Sequence, residues 1–210
     1  MLLVPLAAAA ATDWWAVATG NRRVEVVAKP AVAVLLVVLA ATAGEVDGGV
    51  RVALVVAATC GLLGDVALLG RGETAFLAGL ASFAVGHLAY AVAAVAGGIS
   101  WLRVLVALPF MAALLGYRFV TETVPGARRA GGPVLAGAVT LYAVVISVMV
   151  LTATGSGSWV AAVGAALFAI SDWVLGHDRF ARHSRHARIV VIVTYHVGQA
   201  LLILGLVAAG

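Results

Sequence analysis

Two aspartates lie in apolar stretches with the same local pattern, Gly64-Asp65-Val66-Ala67-Leu68 and Ser171-Asp172-Trp173-Val174-Leu175, about half a chain length apart. Each reads small-Asp-x-x-Leu and falls near the end of a long apolar run. An ionisable side chain at the centre of a membrane helix costs about 2.5 to 3.5 kcal/mol on the insertion scale, so two acids at matched depth need a reason. The chemistry open to such a pair is proton transfer: one carboxyl donates while the other accepts, or both lie on a proton path. Other polar residues accompany them. His87 and Tyr90 stand at i, i+3 on one apolar stretch with Ser82, Tyr195 and Gln199 at i, i+4 on another, and Lys29 precedes Pro30.

The elements that position these residues follow from composition. Of 210 residues, 64% are hydrophobic and 10% charged, with a mean hydropathy of +1.13. A soluble domain is about 45 to 50% apolar and about 25% charged, so this chain cannot cover a water-facing globule and is expected to be an integral membrane protein. The expected fold is all-α: one polytopic membrane helix bundle over residues 1–210, with no room for a Rossmann domain or a P-loop. Apolar runs and loop signals predict about eight transmembrane helices, near 2–19, 24–43, 50–70, 74–97, 100–119, 134–153, 158–176 and 189–209. Arg22 and Arg23 follow the first run and no positive segment precedes it, so it reads as a retained helix. Lys29-Pro30 leaves the second helix either kinked or short and starting at Pro30.

Eleven of the 13 Lys and Arg residues fall in the loops after runs 1, 3, 5 and 7 or, as Lys29 and Arg118 do, in the run ends beside them. The positive-inside rule then places both termini outside the cytoplasm. That topology accounts for the pI near 9.8, and no nucleic-acid partner is expected. Cys60 is the one cysteine, so no intrachain disulfide forms. In this orientation Asp65 and Asp172 lie about five residues, or about 7 to 8 Å, from the cytoplasmic ends of their helices. Lys29, Asp13, Tyr195, His196 and Gln199 fall toward the same side, and Ser82, His87 and Tyr90 lie nearer mid-membrane. Plainer readings stand beside the functional one. Lys29 is also placed as a cation snorkelling to the interface, His87 and Tyr90 as a buried structural pair, and Asp13 beside Trp14-Trp15 as a packing residue. The stretch from His177 to Arg188 reads as topology and anionic-lipid contact. The matching aspartate patterns suggest two parallel four-helix halves whose aspartates face each other across the interface.

Gly64-Asp65-x-x-Leu68, Phe76-x-x-Gly79-Leu80-x-x-Phe83-x-x-x-His87-x-x-Tyr90, Leu167-Phe168-x-x-Ser171-Asp172 and Tyr195-x-x-x-Gln199, with an early Lys29-Pro30, together resemble the YhhN-like lysoplasmalogenase family from about residue 24 to 205. The resemblance implies a multi-pass hydrolase of the cell (inner) membrane. Its implied reaction cleaves the vinyl ether bond of lysoplasmalogens to a fatty aldehyde and a glycerophospho-headgroup. It also implies Asp65 and Asp172 as catalytic residues, with Lys29, His87, Tyr90, Tyr195 and Gln199 binding substrate or supporting the site. The partners so implied are a lysophospholipid within the membrane and water; the oligomeric state is open. No H-E-x-x-H or clustered ligand spacing appears, so no metal or other cofactor is expected.

The bond itself sets the chemistry. Protonation of the vinyl β-carbon creates an oxocarbenium ion, water adds, and the hemiacetal collapses. One carboxyl kept neutral by its apolar surroundings suits the acid step, and an ionised partner suits cation stabilisation and proton abstraction from water. Sequence alone does not decide which aspartate takes which part. No G-x-S-x-G elbow is present. A small transporter or proton-coupled carrier is the alternative, and it calls for polar groups through the full membrane depth.

Overall fold

The computed structural model describes residues 2–210. Eight α-helices follow in order: α1 Leu3–Thr19, α2 Arg22–Thr42, α3 Gly48–Leu68, α4 Gly72–Ala96, α5 Trp101–Leu114, α6 Val124–Gly155, α7 Trp159–Phe180 and α8 Ala187–Ala209. A π-helical turn, Phe119–Thr123, leads into α6. Among the described residues there is no strand. Six helical segments are long and apolar enough to cross a membrane; α1, with 17 residues, and α5, with 14, are shorter.

Several ends differ from expectation for local reasons. α2 starts at Arg22, where Asn21 caps it by accepting from Val24 N at 3.4 Å, and it runs unbroken through Pro30. Lys29 therefore sits two turns into the helix. α5 stops at Leu114, short of the expected 119, with Pro109 inside it and Gly116 just beyond. α6 breaks at Gly131 and at Gly132, whose φ of 71° and ψ of −166° only glycine adopts readily, so its membrane stretch begins at Pro133.

The outer surface is apolar, with Val27, Val52, Val92, Leu102 and Leu141 exposed. The interior holds Asp13, Glu25, Asp65, His87, His196 and Gln199. Lipid, not water, is the solvent such a surface matches, and the chain is a multi-pass membrane protein. Helices meet through small residues. A Cβ on Gly198 of α8 would lie 2.8 Å from Phe168 N of α7, and Gly205 abuts Ala161 directly. On the other side a Cβ on Gly86 of α4 would lie 3.1 Å from Ala57 O of α3. Neighbour order repeats along the chain: α1 on α2, α2 on α3 and α3 on α4, then α5 on α6, α6 on α7 and α7 on α8. α4 against α6, and α8 against α1 and α2, join the two sets. Near the charged ends, Arg188 of α8 clasps both oxygens of buried Glu25 on α2 at 2.9 Å.

Candidate active site

The two aspartates lie at the heart of the bundle, each in its own hydrogen-bonded cluster. Asp65, buried on α3, has Lys29 Nζ of α2 at 3.0 Å from Oδ1 and accepts the Tyr195 hydroxyl of α8 on Oδ2 at 2.8 Å. Asp172, on α7, accepts the Tyr142 hydroxyl of α6 on Oδ2 at 2.6 Å. His87 Nε2 of α4 lies 3.2 Å from that oxygen and 2.8 Å from the Tyr142 oxygen. Short hydroxyl-to-carboxyl hydrogen bonds of this kind fix the carboxyl group in place.

The partners follow a crosswise rule. Each aspartate, on the third helix of its set, is held by the second helix of the same set and the fourth helix of the other. Tyr195 and His87 come from the fourth helices of the two sets, and Lys29 and Tyr142 from the second. Among the described residues the two carboxylates share no hydrogen-bond partner. Aromatic rings pack between their partners. Phe168 sits between His87, at 4.6 Å between ring centroids, and Tyr195, at 5.1 Å, with Phe83 edge-on to Tyr195 at 5.7 Å. Gly64 leaves room for the Phe83 ring, which a Cβ there would meet at 2.6 Å.

Space opens on two sides of this partition. An apolar cavity of about 690 Å³, counting its mouth, is walled by residues that include Phe76, Leu80, Phe83, Phe119, Tyr142 and Asp172. Among the described residues Asp172 is its only acidic or basic side chain. A second space of about 850 Å³, again with its mouth, lies at the charged ends and is lined by Arg22, Glu25, Lys29, Asp178, Arg179 and Arg188 together with apolar side chains. Leu68, Phe76 and Leu175 belong to both walls. Arg179 stacks over the Phe76 ring at 4.0 Å, on this shared boundary.

Of the expected residues, Lys29, Asp65 and Tyr195 meet in one cluster, and His87 and Asp172 in the other. Lys29 turns its ammonium inward onto Asp65, while Arg22, Arg179 and Arg188 supply the cations of the outer space. Tyr90 and Gln199 touch neither aspartate. Both are buried, and Tyr90 OH and Gln199 Oε1 have no hydrogen-bond partner among the described residues. Gln199 Nε2 packs against Gly61 beside the Tyr195 hydroxyl, in space a Cβ on Gly61 would take.

Sequence reasoning missed Tyr142, whose signal was a lone tyrosine within an apolar run. It also set aside a third cluster. Asp13 of α1 is fully buried, and neither of its oxygens has a hydrogen-bond partner among the described residues. His196 Nε2 faces it at 3.9 Å, and Trp14 Nε1 donates to His196 Nδ1 at 3.1 Å. An indole only donates, so Nδ1 accepts, and a neutral His196 carries its proton on Nε2, toward Asp13.

The YhhN family's sequence model matches residues 24–206, a stretch that holds both aspartates and every one of their partners. The chain belongs to the YhhN family. It is 34% identical over 176 residues to the lysoplasmalogenase TMEM86B of Sus scrofa, covering 80% of this chain and 70% of that one. To the lysoplasmalogenase TMEM86B of Homo sapiens it is 30% identical over 165 residues, or 75% of this chain and 65% of the relative. The Mus musculus protein of the same name is 32% identical over 155 residues, 70% of this chain and 60% of its own length. The chain thus spans about two thirds of these relatives. No solved structure matches it significantly. Asp13 and Trp14 lie outside the stretch the YhhN model covers, whereas His196 lies inside it.

Proposed function

We propose that this YhhN-family protein is a lysoplasmalogenase, hydrolysing the vinyl ether of lysoplasmalogens to a fatty aldehyde and a glycerophospho-headgroup. The observation that carries the reading is the apolar cavity whose wall bears one carboxyl, Asp172, held by Tyr142 and His87 and adjoining a space rimmed by arginines. A single-chain lipid fits that pair of spaces. Its hydrocarbon takes the apolar cavity, its phosphate meets the arginines, and its ether bond comes to the boundary of Leu68, Phe76 and Leu175.

Asp172 is the general acid. It lies where the chain lies, so its proton goes to the vinyl β-carbon, and Tyr142 and His87 hold the carboxyl at that carbon. Asp65 acts in this scheme as the ionised partner, paired with Lys29 and hydrogen-bonded by Tyr195. Its charge stabilises the oxocarbenium ion, and the Tyr195 hydroxyl, aided by Gln199 and Tyr90, orients the attacking water and passes its proton to Asp65. The hemiacetal then collapses to aldehyde and alcohol. The buried polar groups gather in one layer of the bundle, which favours a one-sided lipid pocket over a carrier with polar groups across the membrane.

The same reading takes the bundle as eight crossings of the cell membrane in two parallel four-helix halves, with both ends of the chain outside the cytoplasm. The crosswise partners of the aspartates support the halves, and the cations gathered at the ends of α1, α3, α5 and α7 support the orientation.

The test is aldehyde release by purified protein in detergent. A 1-alkenyl lysophospholipid should yield aldehyde, while the saturated 1-alkyl ether and 1-acyl ester of the same headgroup yield none. Equal or absent release from all three lipids would count against a vinyl ether hydrolase.

A further inference from the structure

Lys29 is the chain's sole lysine; the other 12 basic residues are arginines. An arginine would grip Asp65 through two parallel hydrogen bonds, yet the buried cation of the site is the one kind that can surrender its proton and act as a nucleophile. Its side chain is 14% exposed and its Nζ lies 3.0 Å from Asp65. A proton leaving Nζ thus has a carboxylate in direct contact and need not cross to water. Lys29 also lines the outer space, which shares Leu68, Phe76 and Leu175 with the wall of the apolar cavity. An aldehyde formed with its chain in the apolar cavity presents its carbonyl toward that boundary.

We propose that Lys29 captures long-chain aldehyde as an imine, making it a covalent product-binding residue. The inference rests on the proposed activity for the source of its aldehyde. The Lys29 ammonium passes one proton to Asp65. The Nζ lone pair attacks the carbonyl carbon, an N–C bond forms, and the carbonyl electron pair moves to oxygen, which takes up a proton. The carbinolamine loses water and leaves C=N. Amine and aldehyde give imine and water, with nothing oxidised or reduced. While the imine lasts, the aldehyde stays inside the bundle, the next lipid is excluded and Asp65 lacks its ammonium partner. Accumulated aldehyde therefore slows turnover until water releases it.

The experiment supplies the aldehyde directly, so it does not depend on vinyl ether cleavage. Intact purified protein in detergent is mixed with hexadecanal or propanal, reduced with cyanoborohydride and mapped by peptide mass spectrometry. The amino-terminal amine serves as the internal reference for indiscriminate reaction. The expected ratio of Lys29 to amino-terminal adduct is about tenfold higher for hexadecanal than for propanal, because the apolar cavity concentrates the long chain beside Nζ. A saturated lysophospholipid should lower the Lys29 adduct and spare the terminus. Asp172→Asn, which keeps the Lys29 cluster whole, should label like wild type. A ratio independent of chain length, or labelling that the lipid does not block, would overturn the proposal. Lys29 labelling by added hexadecanal in protein that releases no aldehyde from a 1-alkenyl lipid would uphold the capture site and count against the hydrolase. Aldehyde release without a Lys29 adduct would do the reverse.

Discussion

Tyr142 gives Asp172 its shortest hydrogen bond, 2.6 Å, and leaves its oxygen free to accept from His87. Removing one neutral hydrogen bond costs about 0.5 to 1.5 kcal/mol, or about 2- to 10-fold in rate where the bond matters for the transition state. Tyr142→Phe should therefore lower kcat by about that factor with KM little changed; a wild-type kcat would show that Asp172 needs no such support. Gly61 offers a second residue-level test. A Cβ there would lie 2.6 Å from Gln199 Nε2, the mobile end of its side chain, so Gly61→Ala should displace Gln199 from Tyr195. Its expected signature is reduced turnover at nearly unchanged thermal stability, whereas Gly137→Ala, with nothing within 4 Å of its Cβ, should be silent in both. At this scale Asp65, Asp172, His87, Lys29 and Tyr195 were legible because ionisable or hydrogen-bonding groups in hydrocarbon stand out against their surroundings. Tyr142 was not, since one tyrosine in an apolar run names no partner. The partition by Phe83 and Phe168 was invisible as well, because a phenylalanine in a membrane helix looks like any other apolar residue.

Helix pairs decide whether those residues meet at all. α7 and α8 approach through Gly164, Gly198 and Gly205, and a Cβ on Gly198 would press on backbone, Phe168 N at 2.8 Å and Gly164 O at 2.9 Å. Backbone cannot swing aside as a side chain does. Gly198→Ala should cost about 1 to 3 kcal/mol, read as a lower melting temperature in detergent. It should also pull Tyr195 off Asp65. Gly132→Ala tests the break before the membrane stretch of α6, where φ is 71° and ψ −166°, a region closed to alanine. About 1 to 3 kcal/mol of destabilisation is expected, and an unchanged melting temperature would mean that the break straightens at little cost. Apolar runs located nearly every helix to within a few residues. α5 escaped them, because hydropathy continues past Leu114 while Pro109 and Gly116 end the helix, and hydropathy does not register backbone breaks.

Over the whole molecule, two sets of four helices repeat one neighbour order, and each set lends its fourth helix to the other's aspartate. Repeated Asp-x-x-Leu patterns pointed to the two sets, yet the exchange of Tyr195 and His87 between them needs three-dimensional packing and cannot be read along the chain. If the cations mark the cytoplasmic side, reporters fused after Gly210 should be active only outside the cytoplasm; a cytoplasmic signal there would invert the topology. The division of labour between the aspartates makes the sharpest demand. In the proposed mechanism Asp172 delivers the proton, so Asp172→Asn keeps the shape of the site while removing the acid. Its rate of aldehyde release from a 1-alkenyl lysophospholipid, measured beside the affinity for the saturated analogue, tests the central claim most directly. The account predicts that release falls by about 10²- to 10⁴-fold, the usual contribution of a general acid, while affinity stays within about threefold. An Asp172→Asn protein that binds the analogue normally and still releases aldehyde at the wild-type rate would contradict it.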